Sequence, residues 1–225
     1  MNSNYTFKGI TFASMGVIIE KTPQISIPQK RIKTYTVAGR NGFLSVDEGT
    51  FEPYEVVLEC HYKDDNVDKN AIANWLNGYG IISFDGETEQ TAIVSNAIPL
   101  TKIQNFKKFE VSFTVNPIKK SKTPVVGTIT ESQVVYSTTT LPAKPILEVV
   151  ATGNVSVSIN GVGFSLINAD GTYILDCEAM EITHNNANAS SSMSGDFPEI
   201  VNGANNVVLT GNITSVKITY KKCTI

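Results

Sequence analysis

Strict alternation of apolar and polar residues recurs along this chain and commits most of it to β-strands. Tyr54, Val56, Leu58, Cys60 and Tyr62 fall on one face of a stretch whose other face carries Glu55, Val57, Glu59, His61 and Lys63. Strand side chains point alternately to opposite faces, so this stretch is a half-buried strand with Cys60 inward and His61 outward. Phe109, Val111, Phe113 and Val115 alternate in the same way with Lys108, Glu110, Ser112 and Thr114. Ile81–Phe84 and Ala92–Val94 are shorter strands on either side of a charged turn. Val155, Val157 and Ile159 alternate with serines and run into Asn160-Gly161, a pair that predicts a type I′ hairpin turn. The return strand is expected over 162–168, with turns at Asp170-Gly171 and Gly211-Asn212 and a last strand over 213–221. The segment 184–194 is Asn, Ala and Ser with almost nothing apolar, and reads as a surface loop.

One helix interrupts the strands, over about 67–77, with Asp65 or Asn66 as its cap. Val67, Ala71, Trp75 and Leu76 form its apolar stripe, and Gly78 stands where a left-handed residue ends a helix. The single tryptophan therefore faces a sheet as a core anchor. Two proline-bracketed segments, 117–124 and 137–145, mark a change from a mixed to an all-β half, with a short strand at Val134–Tyr136 between them. The boundary is expected between 117 and 145, giving predicted domains 1–130 and 131–225; the fold class is mainly β, with one helix in the first half and a sandwich suggested by the closely spaced strands and tight turns of the second.

The residues needed for chemistry are sparse. His61 and His184 fall in different halves and lack metal-ligand spacing, so neither supports a metal site or a nucleophile–base pair. Asp64, Asp65 and Asp68 precede the helix without the pattern of a calcium loop, and read as capping residues. Gly161-Val162-Gly163 is followed by a strand, so it serves a hairpin and not a phosphate. Cys60, Cys177 and Cys223 are widely spaced and odd in number, which favours buried free thiols over a disulfide framework. A net charge of -3 gives no basis for nucleic-acid binding. No apolar run approaches a membrane span, and no signal peptide opens the chain. No catalytic residue, metal ligand or cofactor site is expected. Sugar binding is the alternative: Tyr136, Phe164, Tyr173, Phe197 and Tyr220 supply aromatic rings in the second half, beside the Asn-rich segment.

Met193-Ser194-Gly195-Asp196-Phe197-Pro198, closed by Gly203-Ala204-Asn205, reads as a turn into the last strands. It belongs to a series of blocks in fixed order. The others are Phe7-Lys8-Gly9, Met15-Gly16-Val17, Val37-Ala38-Gly39-Arg40-Asn41-Gly42, Gly49-Thr50-Phe51-Glu52-Pro53-Tyr54, Trp75-Leu76-Asn77-Gly78-Tyr79-Gly80 and Phe109–Phe113. Across these blocks the chain resembles the distal tail proteins of long-tailed phages and prophages of Gram-positive hosts. Ala38 stands where that family often has proline.

The resemblance implies two β-sandwich domains, an N-terminal belt with one helix and a long hairpin and a galectin-like C-terminal domain. It implies a structural virion protein with no enzymatic activity, assembled in the host cytoplasm and resident in the tail. Its partners would be five further copies in a homohexameric ring, single or stacked, together with the tail tube protein, a tail-tip protein and a receptor-binding protein. Gly39, Arg40, Gly42, Gly195, Asp196, Phe197 and Pro198 are the signature turns. Arg40, Asp85, Glu87 and Glu89 are the candidate ring-interface residues, chosen for polarity and for projecting from the sheet.

Overall fold

A computed structural model of the chain describes residues 4–62, 67–98 and 108–225. It divides into two units, Met1–Lys119 with Ile225, and Lys120–Thr224. The division falls earlier than the predicted 130/131. The strand Val125–Ile129 pairs residue by residue with Tyr220–Val216, which ties it to the second unit.

The first unit contains β1 (Thr6–Phe7), β2 (Ile10–Thr11), β3 (Val17–Ile19), β4 (Lys30–Tyr35), β5 (Leu44–Phe51) and β6 (Tyr54–Tyr62). Helix α1 (Lys69–Trp75) follows, then β7 (Tyr79–Ser83), β8 (Thr88–Val94) and β9 (Lys108–Val115). Hydrogen bonding orders the main sheet β2-β1-β7-β8-β9-β6-β3. The central pair β6–β9 runs antiparallel from Tyr54 opposite Val115 to His61 opposite Lys108. The alternation in β6 is realised, with Tyr54, Val56, Leu58, Cys60 and Tyr62 all buried.

Helix α1 is shorter than the sequence pattern predicts, because Asp68 caps it. The Asp68 carboxylate accepts from the backbone N–H groups of Asn70 and Ala71, each at 3.0 Å. The expected caps Asp65 and Asn66 lie outside the described residues, as do Lys63 and Asp64. Gly78 has the predicted left-handed backbone, at φ 72°. Trp75 is the anchor that its position suggests. Its ring meets Phe12 at 4.7 Å between centroids, and its indole N–H donates to the Phe7 carbonyl at 2.9 Å. That bond satisfies the one polar atom a buried tryptophan brings into a core.

Strand β10 (Lys119–Ser121) spans the division, and the second unit contains β11 (Val125–Ile129), β12 (Gln133–Ser137), β13 (Ile146–Ile159), β14 (Val162–Asp176) and β15 (Glu181–His184). After these come β16 (Ala187–Asn188), a 3-10 turn at Ser190–Ser192, β17 (Met193–Gly195), β18 (Gly203–Tyr220) and β19 (Cys223–Thr224). The strand order is β11-β18-β13-β14-β15-β16, with β12 added to β18 and β17 to β14. Three of these strands are long, and they break register near their middles: β13 against β14 between Gly153 and Val155, and β13 against β18 between Thr152 and Ser156. The bulges bend the sheet so that it curls over a single core of Leu147, Val149, Val157, Ile159, Leu166, Leu175, Val207 and Val216.

Two predicted turns are therefore absent. Asp170-Gly171 and Gly211-Asn212 lie inside the continuous strands β14 and β18. At Gly211, φ is 92° and an added Cβ would stand 2.5 Å from the Asn154 carbonyl oxygen. Glycine there allows two strands to cross closely at the bend, without reversing the chain. The predicted surface loop over 184–194 is also structured. Asn185 and Asn186, at φ 52° and 60°, turn β15 into β16, and Ala189 and the 3-10 turn lead into β17. Asn160-Gly161 is the predicted hairpin turn, with φ of 54° and 83°.

Candidate interaction surfaces

The hairpin β4–β5 differs from every other paired element of the first unit: all of its residues are exposed except Phe51. Tyr35 faces Leu44, and Lys33 faces Val46. Opposed residues share a face, so Tyr35, Leu44 and Val46 form an apolar stripe. They are 51%, 49% and 47% exposed. The other face holds Ile32 opposite Asp47 and Thr34 opposite Ser45. Ion pairs Lys30–Asp47 at 2.7 Å and Arg31–Glu52 at 2.9 Å, together with Lys33–Glu48, clamp the two strands. The Lys30 ammonium bonded to Asp47, followed by the Gly49 N–H, holds that carboxyl below the usual carboxylate range. A two-stranded ribbon with no sheet behind it is marginal in water. These clamps offset part of that deficit, but the apolar stripe remains uncovered.

The signature Gly39-Arg40-Asn41-Gly42 forms the tip between these two strands. Gly39 and Gly42 have φ of 78° and 87°. Arg40 is exposed, and its guanidinium makes no ion pair among the described residues. The other candidate interface residues lie in and after the β7–β8 turn. Asp85 is largely engaged in that turn: its carboxylate accepts from the backbone N–H of Glu87 at 2.8 Å, the backbone N–H of Thr88 at 2.7 Å and the Thr88 hydroxyl at 2.6 Å. Partial burial opposes its charge, but these donors hold the carboxyl below its ordinary range. Glu87 is exposed and Glu89 half-buried.

In the second unit the Gly195–Pro198 motif is structural. Gly195 has φ 117°, and a Cβ there would lie 2.5 Å from the Gly163 carbonyl oxygen. That oxygen accepts from the Asp196 N–H at 2.9 Å. Phe197 packs half-buried against the core and Pro198 is buried. Ala143 and Ile200 then exchange backbone hydrogen bonds at 2.8 Å. Asn205, fully buried, organises the end of this segment. Its Oδ1 accepts from Val201 N–H at 2.8 Å and from Asn160 Nδ2 at 2.9 Å. Its Nδ2 donates to the carbonyls of Val201, Gly203 and Val135 at 2.9, 3.1 and 3.3 Å.

The remaining polar chemistry is modest. Glu20 accepts from Lys108 Nζ at 2.8 Å and lies 3.1 Å from His61 Nδ1. The bond from Lys108 lowers the Glu20 carboxyl below its ordinary value, and the same bond raises Lys108. His184 stacks on Tyr173 at 4.4 Å, with Nδ1 2.9 Å from the Thr172 carbonyl. No group of three or more metal-ligating side chains comes together among the described residues. The three thiols are buried and unpaired. Burial pushes Cys60 and Cys177 up to about 12, so both stay protonated near neutrality and are poor nucleophiles. Among the aromatic residues considered for sugar stacking, Phe164, Tyr173 and Tyr220 are core, and Tyr136 alone is widely exposed, at 78%. No helix among the described residues is long and apolar enough to cross a membrane.

The two units and the uncovered hairpin define a class: a mainly β fold with one helix and an exposed ribbon in the first half and a curled sandwich in the second. No protein-family model matches the sequence, and no curated protein matches it either. The chain has the fold of the Dit protein (gp 19.1) of SPP1, described as a paradigm of the hub adsorption apparatus of phages infecting Gram-positive bacteria. The superposition has a TM-score of 0.79 and covers 99% of each chain, at 12% sequence identity.

Proposed function

We propose that this chain is a structural protein of a phage tail, forming a ring of six copies at the distal end. There it joins the tail tube to the tip and presents its second unit to receptor-binding or other adsorption proteins. The observation that carries this reading is the match of both units, in order and over 99% of each chain, to a hub protein of the adsorption apparatus. At 12% identity the likeness is one of fold, and it extends over both units.

The uncovered hairpin supports the ring. A ring needs two different complementary faces on each copy. The stripe Tyr35, Leu44, Val46 with Arg40 at its tip supplies one, and the acidic β7–β8 region with Glu87 and Glu89 supplies the other. Asp85 contributes its charge to that region while keeping its turn. The role is architectural and not catalytic: the thiols are protonated, the histidines stand in separate units, and the aromatic rings of the second unit are mostly core.

Sedimentation velocity and negative-stain imaging of the purified chain, alone and with its tube and tip proteins, test this. Six-membered rings are expected, and Leu44→Asp should abolish them while circular dichroism stays unchanged. Rings that persist in Leu44→Asp would remove the hairpin from the interface. A chain that stays single even beside its partners would overturn the hub reading.

A further inference from the structure

Most sheet edges of the second unit are defended against further pairing. Strand β16 has two residues. Strand β17 has three, and the chain then runs into Pro198, which has no N–H to offer. Strand β11 has Gly127 at its centre, with no side chain to pack. Strand β12 has no such protection. Its five residues, Gln133-Val134-Val135-Tyr136-Ser137, include no charge, proline or glycine. Among the described residues, its backbone pairs with β18 alone. The nearest charged residue, Glu131, lies outside the strand. Edges of this kind template the addition of another strand.

The sequence of β12 indicates which strand fits. Val134 and Tyr136 are on the outward face, exposed, while Val135 and Ser137 turn toward the core. An antiparallel copy of β12 centred on Val135 places Tyr136 of each chain across from Val134 of the other, on the same face. Aromatic and β-branched residues are favourable cross-strand partners. Gln133 then meets Ser137, and no like charges are opposed. The strand is thus complementary to itself about a two-fold axis, which an isologous contact requires.

We propose that β12 pairs antiparallel with β12 of a second copy, through a two-fold axis at Val135, as a self-association site distinct from the hairpin. The pairing exchanges backbone hydrogen bonds along the free edge and buries two Val134–Tyr136 pairs.

Complementary charge variants of the full chain test this. Val134→Lys with Tyr136→Lys sets lysine opposite lysine in the pair. Val134→Glu with Tyr136→Glu sets glutamate opposite glutamate. Both positions face solvent, so folding should persist, as thermal melts would verify. In sedimentation velocity each variant alone should show half the mass of the wild-type assembly, and an equimolar mixture should restore it. As a check that needs no variant, wild-type amide exchange at Gln133–Ser137 should slow at least tenfold from dilute to concentrated protein. In Leu44→Asp, doubling from one chain to two should survive, which separates this contact from the ring. Equal masses for the wild type and both variants, a mixture that restores nothing, or exchange that ignores concentration would each overturn the proposal. Pairing of this edge with a foreign strand only would do the same.

Discussion

Replacing Asn205 by alanine removes an amide that satisfies five hydrogen-bonding groups inside the second unit. The backbone of Val201 loses both a donor and an acceptor contact, and Val135, Gly203 and Asn160 lose one each. Val201 and Gly203 are not fully buried, so water recovers part of the loss. Charging roughly 1 kcal/mol to each of the groups left short gives about 3–4 kcal/mol. For a unit of this size that is a fall of roughly 15 °C in midpoint. The only tryptophan, Trp75, lies in the first unit and provides an internal control. Calorimetry of Asn205→Ala should show the loss, while the melt followed by Trp75 fluorescence stays within a few degrees of wild type. Asn205→Asp sharpens the test, because it keeps the shape but points a carboxylate oxygen at carbonyls. Its folded-state pKa would be raised above the unfolded value, so stability is greatest below the unfolded pKa and falls as pH rises through the folded one. This variant should melt lower at pH 7 than at pH 4, relative to wild type at each pH. A calorimetric shift under about 3 °C for Asn205→Ala, or an Asn205→Asp defect that does not ease in acid, would refute the role given to this amide.

Gly195→Ala forces a Cβ against the Gly163 carbonyl at a positive φ, and should cost about 2–4 kcal/mol in urea melts, with β17 losing amide protection first. Cys60 and Cys177 should resist thiol-specific labelling at pH 8 until the chain is unfolded. Their folded values, about 12, exceed the ordinary value of 9.0, so the stability they contribute is intact below about pH 9 and lost as pH rises toward 12. By pH 10.5 the loss should approach ~2 kcal/mol per thiol, visible as a lower urea midpoint that Cys60→Ala and Cys177→Ala each reduce.

Much of the fold was legible because half-buried strands declare themselves. The faces of β6 and β9 follow directly from alternation, since one side of each meets a core and the other meets water. Asn160-Gly161 was legible because few residue pairs accept two left-handed conformations in succession. The bends at Gly171 and Gly211 were not, because a glycine at positive φ gives the same local signal in a reversal and in a bulge. What separates them is the register of neighbouring strands, which is a non-local property. Asn185-Asn186 hid a hairpin in a segment too polar to read as strand. Hairpin β4–β5 could not be found by periodicity at all: with both faces wet, Lys30–Tyr35 has no buried side to alternate with, and the expectation of a long hairpin came only from family resemblance. The same wetness concealed the stripe Tyr35, Leu44, Val46 until its register was known. The Gly195–Pro198 motif was visible as a turn, but its reason, close approach to Gly163, needed the pairing of β17 with β14.

Strands β13, β14 and β18 each run through both sides of their bend. Neither half of the curled sheet therefore has a set of strands of its own. The two sides of the bend are expected to open together in amide exchange, as one cooperative unit built on these three strands.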